Sequence, residues 1–316
     1  MFETTVELTT QLDRDLRPSV IEAPLERRPE FDSGGAEVWA KLENRQVTGS
    51  FKFRGASAKL ASLTAAELAQ PIVTASTGNH GLAVTTAAAA RGAQATVFVS
   101  DTADAAKVDR VRGAGAHIEV VPGDPVLAEV AARRAAEAVG GTFISPYNDA
   151  TVVAGQGTIG AELLRQLPGL AGVVISVGGG GLISGIAATL KAHRPDIRVV
   201  AASATNSAAM HHSIAAGQII TTEHRPTLSD GTAGGVEAGS VTFPMCQALV
   251  DQWILVDEAP IAAAMRAYHQ ATRDIIEGSA GMALAAVGAA AIAGPIAVVI
   301  CGGNASAEIA AQVGMA

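Results

Sequence analysis

Between residues 72 and 145 short apolar runs alternate with stretches whose apolar positions recur at helical spacing. Ile72–Ala75, Ala95–Val99, His117–Val121 and Thr142–Ser145 read as strands. Gly81–Arg91, Ala103–Gly113 and Val126–Val139 read as the helices between them. Ser76-Thr77-Gly78, Ser100-Asp101, Pro122-Gly123-Asp124 and Gly140-Gly141 punctuate the pattern as turns. The result is a βαβαβα unit.

The chain pauses at Ser145-Pro146-Tyr147-Asn148-Asp149, and the alternation then resumes. A helix is expected over Val152–Gln166, a buried strand over Gly172–Val177 and a helix over Leu182–His193. Val199–Ala202 follows as a strand, Ala208–Ala216 as a helix and Ile254–Val256 as a strand. One helix is expected from Glu258 to near Gly278, another over Ser279–Ala291, and a last strand over Ile296–Ile300. Gly217–Gly239 is the longest irregular segment, rich in Thr, Ser and Gly, and such loops often bind ligands. Strand–helix alternation throughout is the pattern of the α/β class. Two such units of unequal size imply two domains with a cleft between them, with ligands at the C-terminal ends of strands.

Composition narrows this picture. The chain has 316 residues, 49% of them hydrophobic, 16% charged and 3% aromatic. The core must therefore be Ala, Val, Ile and Leu, which suits helices packed on a buried parallel sheet. A net charge of −8 with no Lys/Arg-rich run argues against a nucleic-acid groove. No uninterrupted apolar stretch reaches the ~20 residues of a membrane span. The segment 283–300 comes nearest, split by Gly288, Gly294 and Pro295. Residues Met1–Thr10 are acidic and polar, unlike a signal peptide. Cys246 and Cys301 are the only cysteines, so no disulfide framework is expected and a cytoplasmic setting is the default. Lys41, Lys52, Lys59, Lys107 and Lys191 are the only lysines, a short list for any chemistry that needs an amine.

G-x-S-x-G, H-E-x-x-H, Walker A and complete G-x-G-x-x-G motifs are absent, and the seven histidines show no metal-ligand spacing. Four segments remain as candidates. Gly178-Gly179-Gly180-Gly181 lies between a strand and a helix, where bare backbone N–H groups and the helix N-terminus favour a phosphate-like anion. The plainer alternative is a tight turn. In Ser50-Phe51-Lys52-Phe53-Arg54-Gly55, Lys52 lies between two Phe and beside a cation, which would lower its pKa and free it as a nucleophile. Taken alone, the segment reads more simply as a solvated Lys at the start of an amphipathic helix. Ser76-Thr77-Gly78-Asn79-His80-Gly81 joins a strand to a helix and offers hydroxyls and N–H groups to a carboxylate, or an ordinary N-cap. Cys301-Gly302-Gly303-Asn304 again follows a strand, with a thiol that is a weak, neutral hydrogen-bonding group or simply a packing residue.

An amine, an anion cradle, a carboxylate-binding turn and a neutral partner, all at strand ends, suit pyridoxal phosphate and an amino acid. With Ala154-Gly155-Gln156-Gly157-Thr158 included, these segments occur in the order found in the threonine dehydratase/serine racemase family, and the chain resembles these fold-type II pyridoxal phosphate enzymes over about residues 20–310. The resemblance implies a two-domain tryptophan synthase β-like fold, each domain an open twisted, mostly parallel sheet with flanking helices. Residues 1–65 and 149–316 would form the large cofactor-binding domain and 66–148 the small one. Lys52 would form the Schiff base with pyridoxal 5′-phosphate and later move the α-proton. Gly178, Gly179, Gly180 and Gly181 would hold the phosphate, Asn79 the ring hydroxyl and Cys301 the pyridine nitrogen, with Phe51 near the ring. Ser76, Thr77, Gly78 and His80 would line the substrate carboxylate site, and Tyr147 with the Gly217–Gly239 loop would shape the pocket.

The resemblance implies a dehydratase or ammonia-lyase that converts a β-hydroxy amino acid to a 2-oxo acid and ammonia. An amino acid racemase and a catalytically silent binding protein are the alternatives. Racemases of the family carry Ser where this chain has Thr77, a second candidate for proton transfer. Relatives with a divalent-metal site place acidic residues where this chain has Ser203 and Ala209, so no metal is expected. No C-terminal regulatory domain, and hence no isoleucine feedback, is expected, while a homodimer or homotetramer is. Ala208-Ala209-Met210-His211-His212-Ser213 and Thr227-Leu228-Ser229-Asp230-Gly231-Thr232-Ala233-Gly234-Gly235 are similar to the hydroxyectoine-utilisation dehydratase branch.

Overall fold

Ten strands, in two sheets, carry the described part of the chain, residues 2–123 and 125–315 of a computed structural model. They are β1 (Leu25–Arg27), β2 (Ala36–Lys41), β3 (Ile72–Ala75), β4 (Ala95–Ser100), β5 (His117–Val121), β6 (Thr142–Phe143), β7 (Gly172–Ser176), β8 (Arg198–Ala204), β9 (Gln252–Val256) and β10 (Gly294–Val299). The larger sheet has the order β1-β2-β10-β7-β8-β9 and the smaller β5-β4-β3-β6. Every pairing is parallel except β1 with β2.

The central strands of the larger sheet read as continuous apolar runs because both faces are covered. All of β7 is buried, and so are Val199–Ala204 of β8 and Ile296–Val299 of β10. With few aromatics, close packing comes from glycine. A Cβ on Gly185 of helix Gly181–His193 would lie 2.1 Å from the Val153 carbonyl oxygen of helix Ala150–Gln166, so the two helices meet backbone to backbone. Among the described residues no helix is long and apolar enough to cross a membrane.

The expected α/β alternation holds, with three differences. The helix from Glu258 stops at Thr272, where Arg273 turns left-handed at φ 68°, and a separate helix spans Gly278–Ala285. The helix expected to run to Ala291 ends at Ala285 and is followed by the short turn Val287–Ala289. Helices Phe2–Asp15 and Thr242–Leu249 and strands β1 and β2 were not signalled by apolar periodicity. Helix Phe2–Asp15 buries only Thr5, Thr9 and Leu12, and Thr9 Oγ1 donates to the Ala154 carbonyl at 3.0 Å.

Candidate active site

Lys52 opens helix Lys52–Ser62, and main-chain pairing brings it beside Cys301. Phe51 N donates to the Cys301 carbonyl at 3.0 Å, Gly303 N donates to the Gly49 carbonyl at 3.0 Å, and Ser50 bridges Gly302. Lys52 Nζ donates to the Pro146 carbonyl at 2.9 Å and lies 5.1 Å from the Phe51 ring centroid. Burial pulls its pKa down to about 8, although Cys301 and Glu277 oppose the shift. The neighbouring cation is not the cause. Arg54 points away, into a buried cluster with Glu43 at 2.8 Å and Glu162 at 2.6 Å. Lys41 also binds Glu162 there.

The Cys301 thiol is buried after β10. It donates to Ser279 Oγ at 3.2 Å and accepts from Ser176 Oγ at 3.5 Å. Burial pushes it up to about 11, so it is a neutral thiol at pH 7.

Gly178–Gly181 leave β7 and enter helix Gly181–His193. Among the described hydrogen bonds, the N–H groups of all four lack a protein acceptor. A Cβ on Gly179 would meet the Tyr147 ring at 2.5 Å, and one on Gly178 would meet Thr232 Cα at 2.9 Å. Gly180 has φ 85°. A bare-backbone turn whose N–H groups face no protein acceptor, at a helix start, is suited to an anion.

Across the cleft, β3 runs into Ser76-Thr77-Gly78 and helix Asn79–Ala89. Ser76 Oγ accepts from Gly78 N at 3.1 Å, and Thr77, Gly78 and Asn79 line the cleft. Asn79 Nδ2 donates to both Glu277 oxygens, at 2.8 and 2.9 Å, and Asn79 Oδ1 accepts from Asn304 Nδ2 at 2.7 Å. Burial raises the Glu277 pKa, against the hydrogen bond from Asn79. The His80 ring is buried, with Nε2 2.9 Å from the Ile144 carbonyl oxygen. A carbonyl only accepts, so Nε2 carries the proton. Tyr147 lays its ring on Gly179, and its hydroxyl accepts from Glu237 N at 2.8 Å.

Sequence reasoning missed Glu277 and the role of Asn304, and it missed the Lys107–Asp230 ion pair at 2.8 Å between two residues that line the cleft. Only the position of Glu277, one residue before a helix start, offered a sequence signal. Ser203 lies buried on β8 and Ala209 starts helix Ala209–Ala216. Among the described residues no group of three or more His, Cys, Asp or Glu is arranged for a metal ion.

A buried amine, a neutral thiol and a glycine cradle fit an aldehyde cofactor with a phosphate group. The family described as pyridoxal-phosphate dependent enzymes matches residues 16–302. The chain belongs to that family. It is a fold-type II pyridoxal-phosphate enzyme, and its relatives place it with the lyases. It is similar to the L-threonine ammonia-lyase of Thermotoga maritima, 38% identical over 85% of this chain and 68% of that protein. The catabolic L-threonine dehydratase TdcB of Staphylococcus aureus is 39% identical over 79% of this chain and 72% of its own. The structure of maize serine racemase superposes with a TM-score of 0.92 at 32% identity, covering 97% of this pyridoxal-phosphate enzyme and 95% of the maize chain.

Proposed function

We propose that this enzyme is a dehydratase/ammonia-lyase for a β-hydroxy amino acid of the L-threonine or L-serine type. The observation that carries the reading is the neutral Cys301 thiol in the site that holds Lys52. In this assignment Gly178–Gly181 hold the cofactor phosphate, Asn79 meets the ring hydroxyl, Phe51 flanks the ring and Cys301 faces the ring nitrogen. Bound there, pyridoxal phosphate supplies the electron sink that weakens the substrate Cα–H bond. A thiol whose pKa is pushed up to about 11 stays neutral near pH 7 and leaves the ring nitrogen without a carboxylate partner, which favours prompt loss of a β-leaving group over a long-lived carbanion.

The Lys52 amine binds the cofactor and, with its pKa near 8, takes the α-proton close to physiological pH. Thr77 and Gly78 orient the substrate carboxylate, with Ser76 holding their turn. Glu277 and Asn304 fix the Asn79 carboxamide. Tyr147 walls the glycine turn and stays protonated, since burial pushes its hydroxyl up to about 12. The proton that Lys52 takes from the α-carbon would be given up to the departing hydroxyl, which leaves as water, and the freed enamine takes up one water to give the 2-oxo acid and ammonia. Residues 66–148 form the substrate-side domain in this reading, with 1–65 and 149–316 as the cofactor domain.

The similarity to maize serine racemase favours racemisation as the second reading, while Thr77, where the racemases carry Ser, weakens it. Incubation with L-threonine, L-serine and their D-forms separates the two. Oxo acid and ammonia in equal amounts support the lyase, whereas inverted amino acid without oxo acid refutes it. A hydroxylated amino acid from ectoine breakdown belongs in the same panel, because the Thr227–Gly235 loop packs Thr232 onto Gly178.

A further inference from the structure

Behind the glycine turn lies a pair of buried hydroxyls. Thr242 is fully buried and Ser240 is 3% exposed. Thr242 Oγ1 donates to the Gly179 carbonyl at 2.6 Å, and Ser240 Oγ lies 2.7 Å from Thr242 Oγ1. Thr242 has one hydroxyl proton and spends it on Gly179, so Ser240 must donate to Thr242. Ser240 Oγ in turn accepts from Thr242 N at 3.3 Å. The proton order is therefore Ser240 to Thr242 to the Gly179 carbonyl, a chain in which each bond polarises the next.

The peptide unit is planar, so a carbonyl drawn toward Thr242 turns the Gly180 N–H the opposite way. That N–H has no protein acceptor among the described hydrogen bonds. Other contacts seat the same corner. Val241 N donates to Asn148 Oδ1 at 2.9 Å, beside the Tyr147 that covers Gly179. A Cβ on Gly180 would lie 3.2 Å from Thr242 Cβ. A tetraglycine segment alone has many backbone conformers, and presenting its N–H groups to an anion requires one.

We propose that Thr242, oriented by Ser240, is a positioning residue that sets the Gly179–Gly180 peptide for binding a phosphate monoester. This rests on the reading of Gly178–Gly181 as the phosphate cradle. The side chain acts from behind the turn, through the Gly179 carbonyl.

The test is the ratio of affinities of the cofactor-depleted full chain for pyridoxal phosphate and for pyridoxal, which lacks the phosphate. The variants are Thr242→Val, Thr242→Ser and Ser240→Ala. Thr242→Val should cut the ratio roughly five- to tenfold, the effect of one lost hydrogen bond, with pyridoxal binding unchanged. Thr242→Ser should restore the ratio to within about twofold, since it keeps the donor. Ser240→Ala should lower it by a smaller factor, and this variant carries the test if Thr242→Val does not fold. The ³¹P resonance of the bound phosphate should move in Thr242→Val and not in Thr242→Ser. An unchanged ratio in Thr242→Val and Ser240→Ala, or equal loss for both ligands, would overturn the proposal. A wild-type chain that binds both ligands equally would instead overturn the cradle itself.

Discussion

His80 follows the Ser76-Thr77-Gly78 turn proposed to face the substrate carboxylate, yet the residue is 4% exposed and its ring pairs with the Ile144 carbonyl. Burial, reinforced by the nearby Lys52 charge, lowers its pKa to about 3 despite the Ile144 carbonyl. In the unfolded chain an imidazole titrates near ~6.5. Between these values the unfolded state binds a proton that the folded state refuses, so folding stability is lost as the pH drops through this window. At pH 5 the unfolded histidine is ~1.5 units below its pKa, and at ~1.36 kcal/mol per unit its protonation costs the fold about 2 kcal/mol. At pH 7 the same contribution is a few tenths of a kcal/mol. His80→Gln keeps an N–H donor for Ile144 and removes the titration. In urea unfolding followed by circular dichroism, wild type should lose about 2 kcal/mol more than His80→Gln between pH 7 and pH 5. Equal losses would refute the reasoning and return the ring to the open cleft.

Two further perturbations test how the site is built. Arg54→Met leaves Glu43 and Glu162 buried with Lys41 as their remaining cation, and should cost about 3–5 kcal/mol in the same unfolding assay. A loss below about 1 kcal/mol would mean that the cluster does not anchor the Lys52 helix. Gly179→Ala drives a methyl group to 2.5 Å from the Tyr147 ring, and should cost about 1–3 kcal/mol in stability together with most of the cofactor affinity. Full cofactor binding by this variant would show that Tyr147 does not seat the turn.

Strands β3 to β10 were legible because their cause is local. The expected spans Ile72–Ala75 and His117–Val121 match β3 and β5, since each is a short run closed by turn residues. The glycine turn, Lys52 and Cys301 were legible for the same reason, each lying where an element starts or ends. Burial patterns that depend on distant partners were not. Helix Phe2–Asp15 is polar by composition and folds against helix Ala150–Gln166 through Thr9. The break at Arg273 carries neither Gly nor Pro, so the helix before it read as longer than it is. Glu277 contacts Asn79 and Asn304, residues remote in sequence, and a lone Glu before a glycine carries no sign of either. Of the two causes expected to depress the Lys52 pKa, apolar surroundings and a neighbouring cation, only burial acts, because Arg54 is consumed by Glu43 and Glu162.

The central claim is that Lys52 anchors pyridoxal phosphate and moves the substrate proton. The most direct measurement is the visible absorbance of purified wild type and Lys52→Ala, read together with oxo acid release from L-threonine and L-serine. The account predicts a yellow wild type that releases oxo acid and ammonia in equal amounts, and a Lys52→Ala variant that lacks both the lysine-bound absorbance and the activity. A colourless wild type, or a Lys52→Ala variant with unchanged colour and turnover, would contradict it.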